Sequence, residues 1–550
     1  MNKTEPGAEA RNAKTSGAGE RALLCLILLA ATALRLHGIG FGLPALNDPD
    51  EPLFLMTALD MLRHHTLNPH WFGHPGTITL YTLALTMAGT GAVYLALGKA
   101  AGLAGLAAAA YADPGIVLLP ARVMIAACGV ACVWLTWRLG RKLGGPGVGL
   151  IGAALLAVNA IHVELSQIVR TDVQASVFML LCALASVDVL REGRARDCVL
   201  AGLFAGLACA TKWPAALILL GPLCAVFYRM RGGRIRLLPP ALLGFSALAT
   251  LLIASPFLVF DYRTVIADLT AEARPYHPGG TGGGFVANVG WYIGHPLLSS
   301  LGLAGLLLAA IGLAWRVRRD PAWSVAVLPG VIVFFLLLAD QSLRWERWVV
   351  PLLPFLSIAA GRALCGLAQV AADRFDRRAH WLAAAVLAVV LLPMLAVTHA
   401  KAVERAHDTR QVASAWIRAH VPPGSSVLVE DAAFDLLNGP WSVRFPLGTA
   451  GCVDARTLLG GRVSSAKVQH LRGSAPSVDF GHVAQAHFAS CRTDYAVFSH
   501  LALYQQDPGH YPEVLARYQQ WLAKARVVAV LRPVPGKRGG PTIYIAAAMH

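Results

Sequence analysis

Leu46-Asn47-Asp48-Pro49-Asp50-Glu51-Pro52-Leu53-Phe54-Leu55-Met56 follows directly on the first hydrophobic segment of the chain, and its reading governs the rest. Three carboxylates stand where an apolar helix has just left a membrane. Asp and Glu together number 31 among 550 residues, so three at a membrane surface read as a catalytic or ion-binding feature. The same residues also read as a helix start, because Asp48 or Asp50 followed by Pro and helix formers supplies an N-cap. The two readings are compatible, since a capping loop is well placed to fix an acid.

Outward from this stretch, the composition sets the class. The chain is 56% hydrophobic and 14% charged, with a mean hydropathy of +0.55, against roughly 25% charged residues in an ordinary soluble protein. The first apolar run, Ala22 to Leu36, continues through Gly38-Ile39-Gly40-Phe41 without a small-residue cleavage site, so it reads as an uncleaved span. Further apolar runs lie near 117–138, 147–165, 172–191, 196–212, 214–230, 237–260, 296–314, 322–339, 349–369 and 382–399. Together they predict a polytopic α-helical membrane protein with about eleven transmembrane helices.

The net charge of +16 does not imply nucleic acid. Its clusters, such as Arg138, Arg141 and Lys142, or Arg229, Arg231, Arg234 and Arg236, fall in short loops, where they set topology. Placing these loops in the cytoplasm puts the N-terminal tail (1–20) inside. It puts 43–115, Arg170-Thr171-Asp172, 261–293 and 341–348 outside. Within 43–115, the apolar stretch Thr77 to Gly98 and a weaker one to Ala110 fit the charge pattern best as in-plane or re-entrant helices.

The character changes after Thr398. Ser426 to Glu430, Asp494 to Phe498 and Val527 to Leu531 read as short buried strands. Asp408 is placed to cap a helix ending before Pro422-Pro423-Gly424, and a second helix is expected over Tyr511 to Ala525. The domains expected are therefore a cytoplasmic tail (1–20), a transmembrane domain (21–400) and an extracytoplasmic α/β domain (401–550). Cys452 and Cys491, both in the last, are a candidate disulfide in an oxidising compartment.

The candidate chemistry gathers on the outer face. Asp50 and Glu51 are candidate general bases. His70 and His74, in the turn Asn68-Pro69-His70-Trp71-Phe72-Gly73-His74-Pro75-Gly76, are candidates for phosphate or metal, and the turn's polar groups would lie beside Asp50 if it folds back. Asp172 stands at the outer start of a span, where it reads equally as a helix cap. Lys212, Arg344 and Arg347 read either as interfacial anchors or as phosphate ligands. The run Gly279-Gly280-Thr281-Gly282-Gly283-Gly284 reads as a mobile lid. It is not a nucleotide fingerprint, because it lacks a strand–loop–helix context.

With these residues in order, the chain resembles the GT-C superfamily of membrane glycosyltransferases, in the protein O-mannosyltransferase and aminoarabinose-transferase-like branch (glycosyltransferase family 39 type). The elements are Asp48-Pro49-Asp50-Glu51, the Asn68 to Pro75 turn, Thr171-Asp172, Thr211-Lys212-Trp213, Ser255-Pro256-Phe257, Arg347-Trp348-Val349-Val350-Pro351-Leu352-Leu353-Pro354 and Arg538-Gly539-Gly540-Pro541-Thr542-Ile543-Tyr544-Ile545. The resemblance implies a polyprenyl-phosphate sugar as donor and an inverting transfer to a glycan, lipid or protein acceptor at the outer face of the inner or plasma membrane. Such transfers serve protein glycosylation or lipid A modification in the cell envelope. It implies Asp50 as base or its organiser with Glu51 in support, Asp172 at the metal or acceptor, and Lys212 and Arg347 at the donor phosphate. Some relatives carry Lys near the position of His74. Asp50, Asp172 and His74 are the candidate ligands for a divalent metal. The alternative class is a transporter or flippase for a lipid-linked sugar. That class favours mid-membrane acids and inverted repeats, whereas here the acids crowd one surface.

Overall fold

The computed structural model describes residues 6–73, 76–231, 236–375, 378–460, 468, 470–471 and 478–549. Eight helical segments among them are long and apolar enough to cross a membrane: Gly17–Leu36, Thr77–Ala96, Gly115–Gly144, Thr171–Arg191, Phe285–Ala314, Pro321–Ala339, Glu346–Asp373 and Trp381–His420. Four shorter apolar helices accompany them, at Gly102–Ala112, Pro146–Ala157, Trp213–Arg229 and Leu238–Ala254. The polytopic helical class is borne out, while the expected figure of about eleven spans is not confirmed by the eight long and four shorter helices among the described residues.

Thr77–Ala96, expected as an in-plane or re-entrant helix, is among the helices long and apolar enough to cross a membrane. It is a 20-residue helix, long enough to span, and it packs against the helices Gly115–Gly144 and Ala195–Thr211. Thr79 Oγ1 donates to Gln174 Oε1 at 2.7 Å, which fixes its start beside that of Thr171–Arg191. Such polar bonds between helices persist where water is absent.

The last long helix, Arg378–Ala406, leads into a six-stranded sheet: β1 (Ser426–Val429), β2 (Ser442–Pro446), β3 (Cys452–Asp454), β4 (Tyr495–Phe498), β5 (Ala525–Leu531) and β6 (Ile543–Ala548). The spatial order is β3-β2-β1-β4-β6-β5. β1 pairs in parallel with β2 and β4, and the outer pairs are antiparallel. Alternate side chains face opposite sides. Val427, Val429, Val443, Val497 and Ile545 bury one way with Ile417 and Trp441. Leu428, Ala496, Phe498 and Ala546 bury the other way with Tyr518 and Trp521. Both faces are covered, as a parallel centre requires, which is why the strands read as continuous apolar runs. The Asp408 side chain accepts from Arg410 N–H and starts the helix Thr409–His420. Cys452 and Cys491 form a disulfide.

This domain closes over the loops at one end of the bundle. Leu46 N–H donates to Ala432 O at 3.0 Å, and Gln411 Nε2 to Asn47 Oδ1 at 2.7 Å. Arg410 also binds the Asn47 carbonyl. On the other side the Tyr276 ring packs at a tilt against His510, with ring centroids 4.2 Å apart.

Candidate active site

The acidic loop divides its work between neighbouring residues. Asp48 Oδ1 accepts the N–H groups of Asp50 (3.0 Å) and Glu51 (3.2 Å), so Asp48 is the side-chain cap of the helix Glu51–Arg63. Asp50 makes no capping bond and is released for other contacts.

Asp50 lies between two guanidiniums. Its Oδ2 is 2.5 Å from Arg170 Nη1 and also pairs with Arg347 Nη1. Arg170 reaches Asp48 as well, with Nη2 2.8 Å from Oδ2. Burial opposes the charge on Arg170, yet Asp48 and Asp50 more than offset it, and Asp172 adds to them. The guanidinium is therefore held above its ordinary range. Asp50 keeps 27% of its side chain exposed, against 11% for Arg170 and 19% for Arg347, so the carboxylate is the most accessible of the three. The Nε–H groups of Arg170 and Arg347 are buried and have no hydrogen-bond partner among the described residues.

Beside this cluster Asp172 pairs with Lys212. Asp172 is not the cap of its helix, since that position is Arg170, which makes no side-chain capping bond. Lys212 sits at the break between the helix Ala195–Thr211 and the 3-10 turn Trp213–Leu219. Three carboxylates, Asp48, Asp50 and Asp172, thus face three cations, Arg170, Arg347 and Lys212.

Glu51 does not take the place of a second general base, and its contacts agree with the supporting role that the resemblance implies. Its side chain is wholly buried and doubly bonded to Arg122, at 2.9 and 2.7 Å. It also accepts Val169 N–H at 3.0 Å. Arg122 in turn donates to the carbonyls of Ile39 and Phe41. Glu51 ties four chain segments together beneath Asp50 and has no open face for a substrate proton, so it is a positioning residue.

The Asn68 turn also docks differently from expectation. Asn68 Nδ2 and His70 Nδ1 contact Asp261 Oδ2 at 2.9 and 3.2 Å, and Phe72 N–H donates to Asp268 at 2.6 Å. Its polar groups therefore hold the helix Tyr262–Glu272 rather than Asp50. His74 lies outside the described residues. Arg344 stacks over Trp291, 5.0 Å from the ring centroid, and makes no ion pair among the described residues.

The glycine run is not a free lid. Gly282 N–H donates to Ser342 O, Arg344 N–H donates to Gly280 O, and Thr281 bridges Leu343. A Cβ on Gly280 would lie 2.5 Å from the Trp345 ring. The glycine is needed for this close approach.

His277, on the same segment, meets Trp345 edge to face at 5.0 Å. Burial pushes its imidazole below the ordinary value, with Arg274 and His500 acting the same way and Asp50 opposing. His277 thus lies within electrostatic reach of both Asp50 and His500, the latter in the sheet domain.

There His500 follows β4 and pairs with Glu430, which follows β1, with Nδ1 3.4 Å from Oε2. Glu430 is buried and accepts from Phe480 N–H (3.2 Å), Ser499 N–H (2.5 Å), His500 N–H (2.9 Å) and Tyr518 O–H. Burial works against the His500 imidazolium, but Glu430 outweighs it and lifts His500 to about 9. The C-terminal ends of parallel strands are where open α/β sheets bind ligands, and here that edge faces the Asp50 loop.

The metal expectation can be tested on this donor set. Asp50 and Asp172 are each engaged by cations, and no group of three or more His, Cys, Asp or Glu gathers around one point among the described residues. His74, the third candidate ligand, lies outside the described residues.

Sequence reasoning missed Arg170 and Arg122 as parts of the site. Both carried a signal. Arg170 is a basic residue on the face where topology expects few, and Arg122 is a charge within an apolar run.

Comparison with known proteins agrees with this architecture. ArnT from Cupriavidus metallidurans in the apo state superposes with a TM-score of 0.52 at 17% identity, over 97% of this chain and 98% of that one. ArnT bound to undecaprenyl phosphate gives 0.51 at 16% identity, over 96% and 98%. The oligosaccharyltransferase AglB from Archaeoglobus fulgidus gives 0.46 at 11% identity, over 75% of this chain. The chain spans 62% of AglB's length. No curated protein matches significantly by sequence. Over nearly its whole length the chain shares the fold of ArnT. Residues 114–260 match the family model described as dolichyl-phosphate-mannose-protein mannosyltransferase.

Proposed function

We propose that the chain transfers a sugar from a polyprenyl-phosphate donor to an acceptor at the membrane face carrying Asp50, with inversion at the anomeric carbon. The observation that carries this reading is the partly exposed Asp50 carboxylate held between the guanidiniums of Arg170 and Arg347. Guanidiniums suit the bidentate recognition of a phosphate, and the acid beside them suits proton acceptance. The family description and the undecaprenyl phosphate bound by ArnT support a lipid-phosphate donor.

In this reading, the donor phosphate takes up Arg347 while Arg170 keeps Asp50 Oδ2 in place. The other carboxylate oxygen, Oδ1, accepts the proton of the acceptor hydroxyl. The acceptor oxygen bonds to the anomeric carbon as the carbon–oxygen bond to phosphate breaks, and the bonding pair leaves with the polyprenyl phosphate. Arg347 and Lys212 balance the charge that develops there, and Asp172 orients Lys212. A single displacement inverts the anomeric carbon. The face is extracytoplasmic and the N-terminus cytoplasmic, consistent with basic clusters at the opposite ends of the spans. The acceptor, a glycan, lipid or protein, enters between this site and the sheet edge.

The test is label transfer from polyprenyl-phosphate [14C]sugars in membranes containing wild type or Asp50→Asn. Incorporation is expected to fall about a hundredfold or more. Equal incorporation overturns the role of Asp50. Movement of the intact labelled lipid without release of polyprenyl phosphate would favour a flippase.

A further inference from the structure

The helix Thr171–Arg191 has 21 residues and is roughly 30 Å long, the thickness of a bilayer's hydrocarbon core. Asp172 marks the catalytic end. At the other end lies an open cavity of 580 Å³ lined by Leu190, Arg191, Tyr228, Arg229, Asp320 and Pro321.

Its arginines are fixed by helix ends. Arg191 Nη2 donates to Lys142 O at 2.8 Å, and Arg229 Nη1 to Leu190 O at 2.7 Å and Arg191 O at 3.1 Å. These bonds cap the C-termini of two helices, where cations are favoured. Gly193 makes room for the second cap. It has φ +66°, and a Cβ there would lie 2.4 Å from Arg229 Nε.

The nearby acids are already paired: Asp188 with Lys142, Glu192 with Arg194, and Asp320 with Arg362. Neither Arg191 nor Arg229 has a carboxylate partner among the described residues. Arg231 lies over the Tyr228 ring, 4.9 Å from its centroid, adding a third positive charge.

We infer that this cavity binds the phosphate head group of an anionic bilayer lipid, on the membrane face opposite Asp50. The guanidiniums are held in place before any ligand arrives, so little side-chain freedom is lost on binding. Basic pockets between helices at this level suit lipid head groups. Leu190 and Pro321 offer apolar contact to the glycerol and upper acyl chain, and Tyr228 has the amphipathic character of an interfacial anchor.

The full-length protein, purified in detergent, is incubated with phosphatidylglycerol or phosphatidylcholine and examined by native mass spectrometry. Wild type is expected to retain phosphatidylglycerol preferentially. The Arg191→Gln/Arg229→Gln variant is expected to lose that retention about tenfold or more, with phosphatidylcholine adducts unchanged. Equal retention of the two lipids by wild type, or an unchanged variant, overturns the site. Displacement of the lipid by inorganic phosphate alone overturns the lipid assignment. If the variant fails to fold, photoreactive phosphatidylglycerol on the wild-type chain decides. Cross-links in peptides carrying Arg191 and Arg229 support the site, and their absence there overturns it.

Discussion

Glu51 and Arg122 meet in a two-pronged ion pair with neither side chain exposed. Removing one partner leaves the other charge buried, at a cost of about 3–5 kcal/mol. Arg122→Met should therefore lower the thermal midpoint sharply, while Glu51→Leu/Arg122→Met should recover much of the loss. A double variant no better than the single one would show that the guanidinium matters through Ile39 and Phe41 instead.

Asp48 and Asp50 stand two residues apart and should behave oppositely. Asp48→Ala removes the cap and one partner of Arg170, and is expected to cost roughly 1 kcal/mol or more in stability. Asp50→Asn should fold like wild type yet lose transfer. Melting curves and label incorporation on the same preparations separate the two.

Arg347→Lys keeps a positive charge but loses the fork. It is expected to raise KM for the polyprenyl-phosphate donor about tenfold, with a smaller change in acceptor KM. Lys212→Met should lower kcat and leave Asp172 buried without its partner. Initial-rate kinetics varying donor and acceptor separately provide the check, and an effect of Arg347→Lys confined to the acceptor would contradict the phosphate role.

The raised His500 makes a pH prediction. In the unfolded chain His titrates near 6.5, and in the folded domain near 9. Its stabilisation is therefore fully present below about 6.5, shrinks as pH rises toward 9, and is gone above that. The melting temperature of the detergent-purified protein should fall across this window, and His500→Gln should flatten the fall. The neighbouring Ser499, Asp431 and Asp479 stay in place in both proteins, which isolates the imidazole.

The disulfide between Cys452 and Cys491 closes a loop of 39 residues, for which about 2–4 kcal/mol of stabilisation is typical. Cys491→Ser should lower stability by that order, as should reductant, without altering the transmembrane helices. Far-UV circular dichroism through the melt checks whether only the sheet domain responds.

Much of this was legible in local pattern. Asp408 caps its helix as expected because capping needs only neighbouring residues. The strands at 426–429 and 495–498 show as apolar runs because both sheet faces are covered. The sheet order was not legible, because the insertion of β6 between β4 and β5 depends on long-range pairing. Asp50, Asp172, Lys212 and Arg347 were identifiable one by one. Their pairing was not, since Asp50 and Arg347 lie 297 positions apart. Arg170 was hidden because a cation at a helix end reads as an anchor until burial is known. The glycine run misled because flexibility and close packing call for the same residue, and only Trp345 against Gly280 distinguishes them.

The bonds from Asn47 to Arg410 and Gln411, and from Leu46 to Ala432, make the sheet domain a splint for the acidic loop. Asp48 and Asp50 follow Asn47 directly in the chain, so a shift of the sheet domain against the helices would pull on the backbone that presents both carboxylates.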